Sequence, residues 1–292
     1  MINTLAYASL EKVSLNLQSF YQLRLNRIHK FRAKIEIRSE VGPFEVKTVT
    51  NVEELKEALA LRFEVFHKEM MGKKAPHGVD VDEFDFDCDH LIIKEKRSNR
   101  IIGTYRLNCS LFTQNFYSAK EFMMSTIMQQ PGVKLELGRA CIHKDFRRGV
   151  LISLLWRGIA EYMAASEAKM LFGCATVKTD DPRDAALLTR YFEEEGRILT
   201  GYRTRPTLKF TMPMLNYFMD EVRSPLTETQ RAQAEELLPP LCRAYLKIGA
   251  SIGGEPAWDQ EFQCIDFLTI LQREDLNRTL WKKFKLDSAT EV

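Results

Sequence analysis

The residues best suited to chemistry lie between Leu135 and Gly149, in the run LELGRACIHKDFRRG. Glu136 stands between Leu135 and Leu137, so a strand would carry its carboxylate to the face opposite those leucines. A basic turn follows, with His143, Lys144, Asp145, Arg147 and Arg148, and then the apolar run VLISLLWRGIAEYMA. That run is a helix whose first turn offers unpaired N–H groups and the positive end of its dipole. A carboxylate on a rigid strand ahead of such a helix start can deprotonate an amine beside a phosphate-bearing thioester.

Glu136 has two readings. A carboxylate on a central strand is costly unless it is paired or working. It is either a general base, taking a proton from the ammonium of an amino-acid acceptor directly or through water, or one half of an ion pair with Arg139 or Arg106. Arg62, Arg106 and Arg139 form a positive set that can pair with Asp82 and Asp85 to organise a loop, or grip an acceptor carboxylate in bidentate fashion. Arg62 suits the first use, and Arg106 and Arg139 leave both open. Asp82 and Asp85 are otherwise turn residues, and His90, which opens a strand, is structural. Phe116, Phe122, Met123, Met124 and Met128 can line an acyl chain or fill core.

These residues need elements to hold them. The alternation in Phe44–Thr50 predicts a strand. Asn51 caps a helix over 52–70 with Leu55, Leu59, Phe63 and Phe66 on one face. A polar loop over 71–89 precedes strands at 90–96 and 101–109, turned at Ser98–Asn99. A short helix is expected at 121–128, a strand at 134–143, a helix at 150–165 and an apolar strand at 170–177. A helix over 184–195 ends at Gly196. A strand at 208–212, a helix over 227–250 broken at Pro239–Pro240, and a strand at 265–271 complete the order. The fold class is therefore α/β, of mixed α+β character. A hairpin followed by one strand–helix–strand crossover makes a mixed sheet covered by helices.

The chain has 292 residues, with 42 Lys and Arg against 40 Asp and Glu. So even a balance argues against a nucleic-acid binder. The six cysteines form no CxxC pair, so no metal or redox motif is indicated, and buried thiols are expected. No run reaches transmembrane length, and Glu11 and Lys12 interrupt any signal-peptide core. Residues 1–38 are basic and show helical apolar spacing at Leu10, Val13, Leu17, Phe20, Tyr21, Leu25 and Ile28. That segment can lie on an anionic membrane or pack on the protein body. The expected organisation is a basic amphipathic extension over 1–43, one domain over 44–285 completed by 216–285, and a flexible tail over 286–292.

The element order and several spaced motifs resemble the GNAT acyltransferases. The motifs are Arg62 and Phe66 in LRFEVF, Asp82 and Asp85 in DEFD, Gly103 and Arg106 in IIGTYRL, and Glu136 and Arg139 in ELGR. The resemblance is closest to the branch fed by acyl carrier protein, which holds the acyl-homoserine-lactone synthases and the ornithine-lipid type N-acyltransferases. Leu238–Leu271 is similar to the tail of the latter, and the resemblance covers 45–275. It implies a GNAT-like sheet, Glu136 and Arg139 as catalytic residues, and Arg62, Phe66, Asp82, Asp85 and Arg106 as substrate or loop organisers. The turn at 144–149 takes the place of the family's pyrophosphate loop, Q/R-x-x-G-x-G/A, and keeps only a basic residue and one glycine. Lys144, Arg147, Arg148 and Gly149 then suit the phosphopantetheine phosphate of an acidic carrier protein better than coenzyme A. Many relatives carry a tyrosine acid four residues before the glycine, where Phe192 stands here with Tyr191 beside it.

The resulting expectation is a cytoplasmic enzyme, either free or peripheral on the inner membrane face. It moves a fatty acyl chain from acyl carrier protein to the amino group of ornithine or a similar amino acid. No metal or cofactor beyond the donor's phosphopantetheine arm is expected, and no nucleic acid. The rival readings are an acetyl-CoA acetyltransferase of the same fold and a non-enzymatic membrane-binding or lytic protein.

Overall fold

The computed structural model describes residues 27–72, 78–147 and 149–276. They fall into two compact units. The first comprises the chain up to Arg106 with Arg139–Gly158, and the second Leu107–Gly138 with the chain from Ile159. Strands β4 (Arg100–Cys109) and β5 (Val133–Ile142) and helix α2 (Gly149–Ser166) run through both.

In the first unit the strand order is β1 (Arg38–Val41), β2 (Phe44–Thr48), β3 (Asp89–Glu95), β4 and β5. β1 and β2 form a hairpin with Val41 opposite Phe44, and Gly42 supplies the left-handed backbone of its two-residue turn. The boundary expected at residue 43 thus falls inside a hairpin, and the extension's last residues are strand rather than helix. The Gly42–Pro43 dipeptide was the signal for it. Helix α1 (Val52–Phe63) begins where Asn51 accepts the Glu54 N–H at 2.9 Å. It does not run on as an α-helix to residue 70: Glu64–Met70 is a π-helix. Leu55, Ala58 and Leu59 bury α1 against Ile92, Ile101 and Cys141, together with Ile28 and Phe31.

In the second unit the order is β4, β5, β6 (Ala168–Val177), β9 (Cys264–Gln272) and β7 (Ser251–Ile252), with β8 (Ala257–Asp259) also on β9. β5 and β6 are parallel, placing Glu136 opposite Phe172, whereas β9 runs antiparallel to β6 along Met170–Val177. Helix α3 (Pro182–Glu194) is capped by Asp181 and starts with proline, and Gly196 follows with positive φ. Helices α4 (Leu215–Glu221), α5 (Glu228–Leu237) and α6 (Pro240–Lys247) come next, the last two split at Pro239–Pro240 as expected. The helix expected at 121–128 is two short turns, Ser118–Glu121 and Ser125–Met128, broken at extended Phe122. The strand expected at 208–212 is a 3-10 turn over Leu208–Phe210, and Leu208 is fully exposed. Pro206 and Pro213 bracket it and cannot donate to a ladder.

Gly173 fixes how closely β5 and β6 approach. A Cβ there would lie 2.2 Å from the Leu137 carbonyl oxygen, one residue beyond Glu136. Gly173→Ala is therefore expected to push the two strands apart and cost about 1–3 kcal/mol. Thermal unfolding of the purified variant checks this, and an unchanged Tm would refute it.

Candidate active site

In the first unit three arginines meet three aspartates out of water. Arg62, on the last turn of α1, is fully buried. It donates from Nε to Asp80 at 2.7 Å and from Nη1 and Nη2 to the two oxygens of Asp85 at 2.6 and 3.1 Å. Arg106 on β4 donates from Nη1 to both oxygens of Asp82 at 2.7 Å and reaches Asp85 at 3.3 Å. Arg139 on β5 reaches Asp82 at 3.3 Å and lies 3.7 Å from Asp80, with Phe66 under its guanidinium. The π-helix brings the His67 ring within 3.1 Å of Asp80. Asp82 and Asp85 also cap the 3-10 turn Glu83–Phe86, each accepting a backbone N–H of the other's end.

Charge balance explains the electrostatics. Burial alone would push Asp80 and Asp82 up, but Arg62 and Arg139 hold Asp80, and Arg106 and Arg139 hold Asp82, well below the usual carboxylate range. Burial would likewise lower Arg62, and Asp85 and Asp80 keep it charged. The sequence predicts Arg62 on Asp82 or Asp85; the structure pairs it with Asp80 and Asp85 and gives Asp82 to Arg106 and Arg139. Asp80 and His67 belong to the network without any spacing signal that marks them. His90 is fully buried, with Nε2 3.0 Å from the Asp85 carbonyl, and burial lowers its basicity, as a structural histidine.

In the second unit, Glu136 is 3% exposed and its carboxylate grips a backbone turn. Oε1 accepts the Ser118 N–H at 2.6 Å, and Oε2 accepts the Tyr117 N–H at 2.9 Å and Asn108 Nδ2 at 3.3 Å. A carboxylate has about four lone-pair sites, so one on Oε1 remains. Asn108, whose Nδ2 meets Oε2, leaves its Oδ1 buried with no hydrogen-bond partner. Beyond Gly138 the backbone changes hand: Arg139 has φ of 51°, a strained value that interrupts the strand's alternation.

Residues 61–157 match the family profile described as "Acetyltransferase (GNAT) domain". Over 252 residues the chain is 29% identical to an L-ornithine N(alpha)-acyltransferase of Rhizobium meliloti (strain 1021), covering 81% of this chain and 82% of that protein. A protein of the same name from Brucella abortus (strain 2308) is 29% identical over 82% of this chain and 88% of its own length. Among solved structures, an N-acyl amino acid synthase from uncultured soil microbes aligns over 82% of this chain and 98% of its own, at 8% identity and a TM-score of 0.46. The matched segment is thus a GNAT-like domain, and the named relatives are acyltransferases, as is this enzyme.

In the donor turn the acyltransferase differs from the expected arrangement at one residue. Arg147 donates from Nε to the Ile142 carbonyl at 3.0 Å and pairs with Glu69, so it braces the turn. Lys144 is exposed, and Arg148 lies outside the described residues. At the position of the family tyrosine, Phe192 is buried edge-on against Phe267 at 5.0 Å. Tyr191 approaches Glu235 at 3.5 Å, and partial burial and Glu235 make its phenol harder to ionise. Phe116, Phe122 and Met124 pack as core with Phe172 and Leu268, whereas Met123 is exposed.

Removing one member of the buried network leaves its partners charged and unpaired. Asp85→Asn is expected to destabilise the acyltransferase by about 3–5 kcal/mol in urea unfolding. The depressed carboxylates also set an acid limit. Their contribution is fully present above the unfolded Asp value near ~4 and is lost as pH falls through the lower folded values. A wild-type melting point that does not fall below about pH 4 would contradict the network's stabilising role.

Proposed function

We propose that the acyltransferase moves a fatty acyl chain from an acyl carrier protein to the amino group of ornithine or a similar amino acid. The observation that carries this reading is the buried Glu136 carboxylate, which keeps an open lone pair on Oε1 while Asn108, its partner at Oε2, leaves Oδ1 unpartnered. An amino acid presents an ammonium, which is no nucleophile until it loses a proton. In this reading Glu136 Oε1 takes that proton while Asn108 Oδ1 holds a second N–H. The amine nitrogen then bonds to the thioester carbonyl carbon, the C–S bond breaks, and the second proton lost by the nitrogen passes to the departing thiolate. A thiol with a pKa near ~8.5 leaves readily as thiolate, so no acid is required at Phe192. Arg139, committed to Asp82 and Asp80, acts as a positioning residue with Arg62, Arg106, Asp82, Asp85 and Phe66.

The names of the relatives support ornithine as acceptor, and the degenerate turn at 144–149 supports a carrier-protein donor. Glu136→Gln is expected to lower turnover at least ~10²-fold with the fold intact. Acyl carrier protein is expected to be preferred over coenzyme A as donor, and Lys144→Glu should raise KM for the carrier-linked donor only. Mass-spectrometric product assays at saturating acceptor decide both points. Near-wild-type turnover in Glu136→Gln removes it as the base, and equal efficiency with acyl-CoA removes the carrier-protein preference.

Attachment to the cytoplasmic membrane face remains part of the proposal. Residues 1–26 lie outside the described residues, as does the tail expected at 286–292, and no described helix is long and apolar enough to cross a membrane. Ile28 is 1% exposed in the first unit's core, so it does not insert. The segment's seven basic residues against two acidic ones would attract anionic headgroups at about 1 kcal/mol each. Full-length protein is expected to float with anionic liposomes at low salt and a chain lacking residues 1–26 to stay behind. Equal behaviour of the two sinks the idea.

A further inference from the structure

The second unit holds an acidic cluster that the chemistry at Glu136 does not use. Glu121 ends the turn Ser118–Glu121, Asp259 ends β8, and Asp266 lies in β9. The β8–β9 register, with Ala257 opposite Asp266 and Asp259 opposite Cys264, brings the two aspartates together. The three residues are 1%, 7% and 4% exposed, and one carboxylate oxygen from each lies within 4.8 Å of the others.

Some of the acceptor capacity is met within the protein. Asp259 Oδ1 accepts the N–H groups of Glu261 and Phe262 at 2.8 and 3.1 Å. Asp266 Oδ1 accepts the Thr176 hydroxyl at 2.6 Å, and the Cys264 thiol approaches Oδ2 at 3.8 Å. Glu121 Oε2, by contrast, is buried without any hydrogen-bond partner. The strongest influences on Glu121 are burial and Asp266, followed by Tyr117, Cys174 and Asp259. None brings a positive charge, and its carboxyl is pushed up to about 8. Carboxylates this close in a dry interior do not all ionise without a cation.

We propose that Glu121, Asp259 and Asp266 form the subsite that receives the side-chain ammonium of a diamino-acid acceptor. The assignment rests on reading the acyltransferase as an amino-acid N-acyltransferase. An ammonium has three donors and no acceptor, matching one oxygen from each acid. One oxygen from each acid would give a hard divalent cation only half its ligands, with water supplying the rest, so the metal is kept as an outcome of the test.

The subsite is also wired to the base. Ser118, whose N–H Glu136 holds, begins the turn that Glu121 ends, about 5 Å along. Cys174 Sγ lies 3.5 Å from Ser118 Oγ and also acts on Glu121. The turn thus ties the point of deprotonation to the point of side-chain recognition. In the proposal a short aliphatic chain with an amine at each end bridges the two. An acceptor with an apolar side chain leaves Glu121 Oε2 without a partner, which a hydrogen-bonding site rejects strongly.

The test compares ornithine, lysine and norvaline, the ornithine skeleton without its second amine, as acceptors for the full-length enzyme with a carrier-linked acyl donor. The expected kcat/KM for norvaline is at least ~10²-fold below that for ornithine. In Asp266→Asn and Glu121→Gln, shown folded by circular dichroism, this preference should shrink at least ~10-fold, mainly through KM for ornithine. Equal use of norvaline and ornithine by wild type overturns the subsite while leaving N-acyl transfer standing. A loss of both acceptors in proportion in the variants assigns the cluster a structural role and also overturns it. A rise in wild-type Tm with Mn2+ or Ca2+ that the variants lose makes it a metal site instead. If wild type acylates no amino acid, the function proposed above falls and takes the subsite with it. Should neither variant fold, the wild-type acceptor comparison still decides.

Discussion

Charge taken out of water must be matched, and that constraint orders this molecule. In the first unit the match is internal. Three guanidiniums and three carboxylates, with His67 alongside, pair with one another across α1, the 80–86 loop, β4 and β5. Such a network is poor evidence for extra stability, because desolvation consumes much of the Coulomb energy. It is good evidence for specificity: the loop has one way to satisfy Arg62 and Arg106 together, so its capped turn is held in place. That the same guanidiniums are occupied removes them from the list of groups that would have to bind a substrate carboxylate.

In the second unit two mismatches involve the turn that begins at Ser118. Glu136, which holds that turn, keeps an unused lone pair and its partner Asn108 an unpartnered oxygen, and Glu121, in the acidic cluster, keeps an unpartnered Oε2. Buried polar groups elsewhere in folded proteins are almost always paired. Unpaired ones are where an incoming group gains most, since it replaces nothing and relieves a desolvation cost already present.

Much of this was legible in the sequence, and the parts that were not share a cause. Helix α3 was marked by Gly196 at its end, and β5 by alternation around Glu136. Arg62, Arg106, Arg139, Asp82 and Asp85 stood in motifs whose charges had to meet. Asp80 and His67 were hidden because a polar loop and a π-helix have no period to read. Glu121 comes from a broken turn far before Asp259 and Asp266 in the chain, and the β8–β9 register brings the two aspartates together. Leu208–Met212 had strand-forming side chains, but its flanking prolines overruled them. Side-chain propensity lost there to the backbone's inability to donate.

The strain at Arg139 links these observations. A positive φ in a non-glycine residue costs of order 1–3 kcal/mol and persists only where surroundings impose it. Here the imposing groups are Asp82 and Asp80, which hold the Arg139 guanidinium. The same strand, three residues earlier, delivers Glu136 to the turn it grips. An unbroken strand alternates its side chains between two faces, and the positive φ at Arg139 interrupts that alternation. The ion network then does more than hold a loop: by holding the guanidinium it keeps Arg139 in a backbone conformation that the residue would not adopt alone.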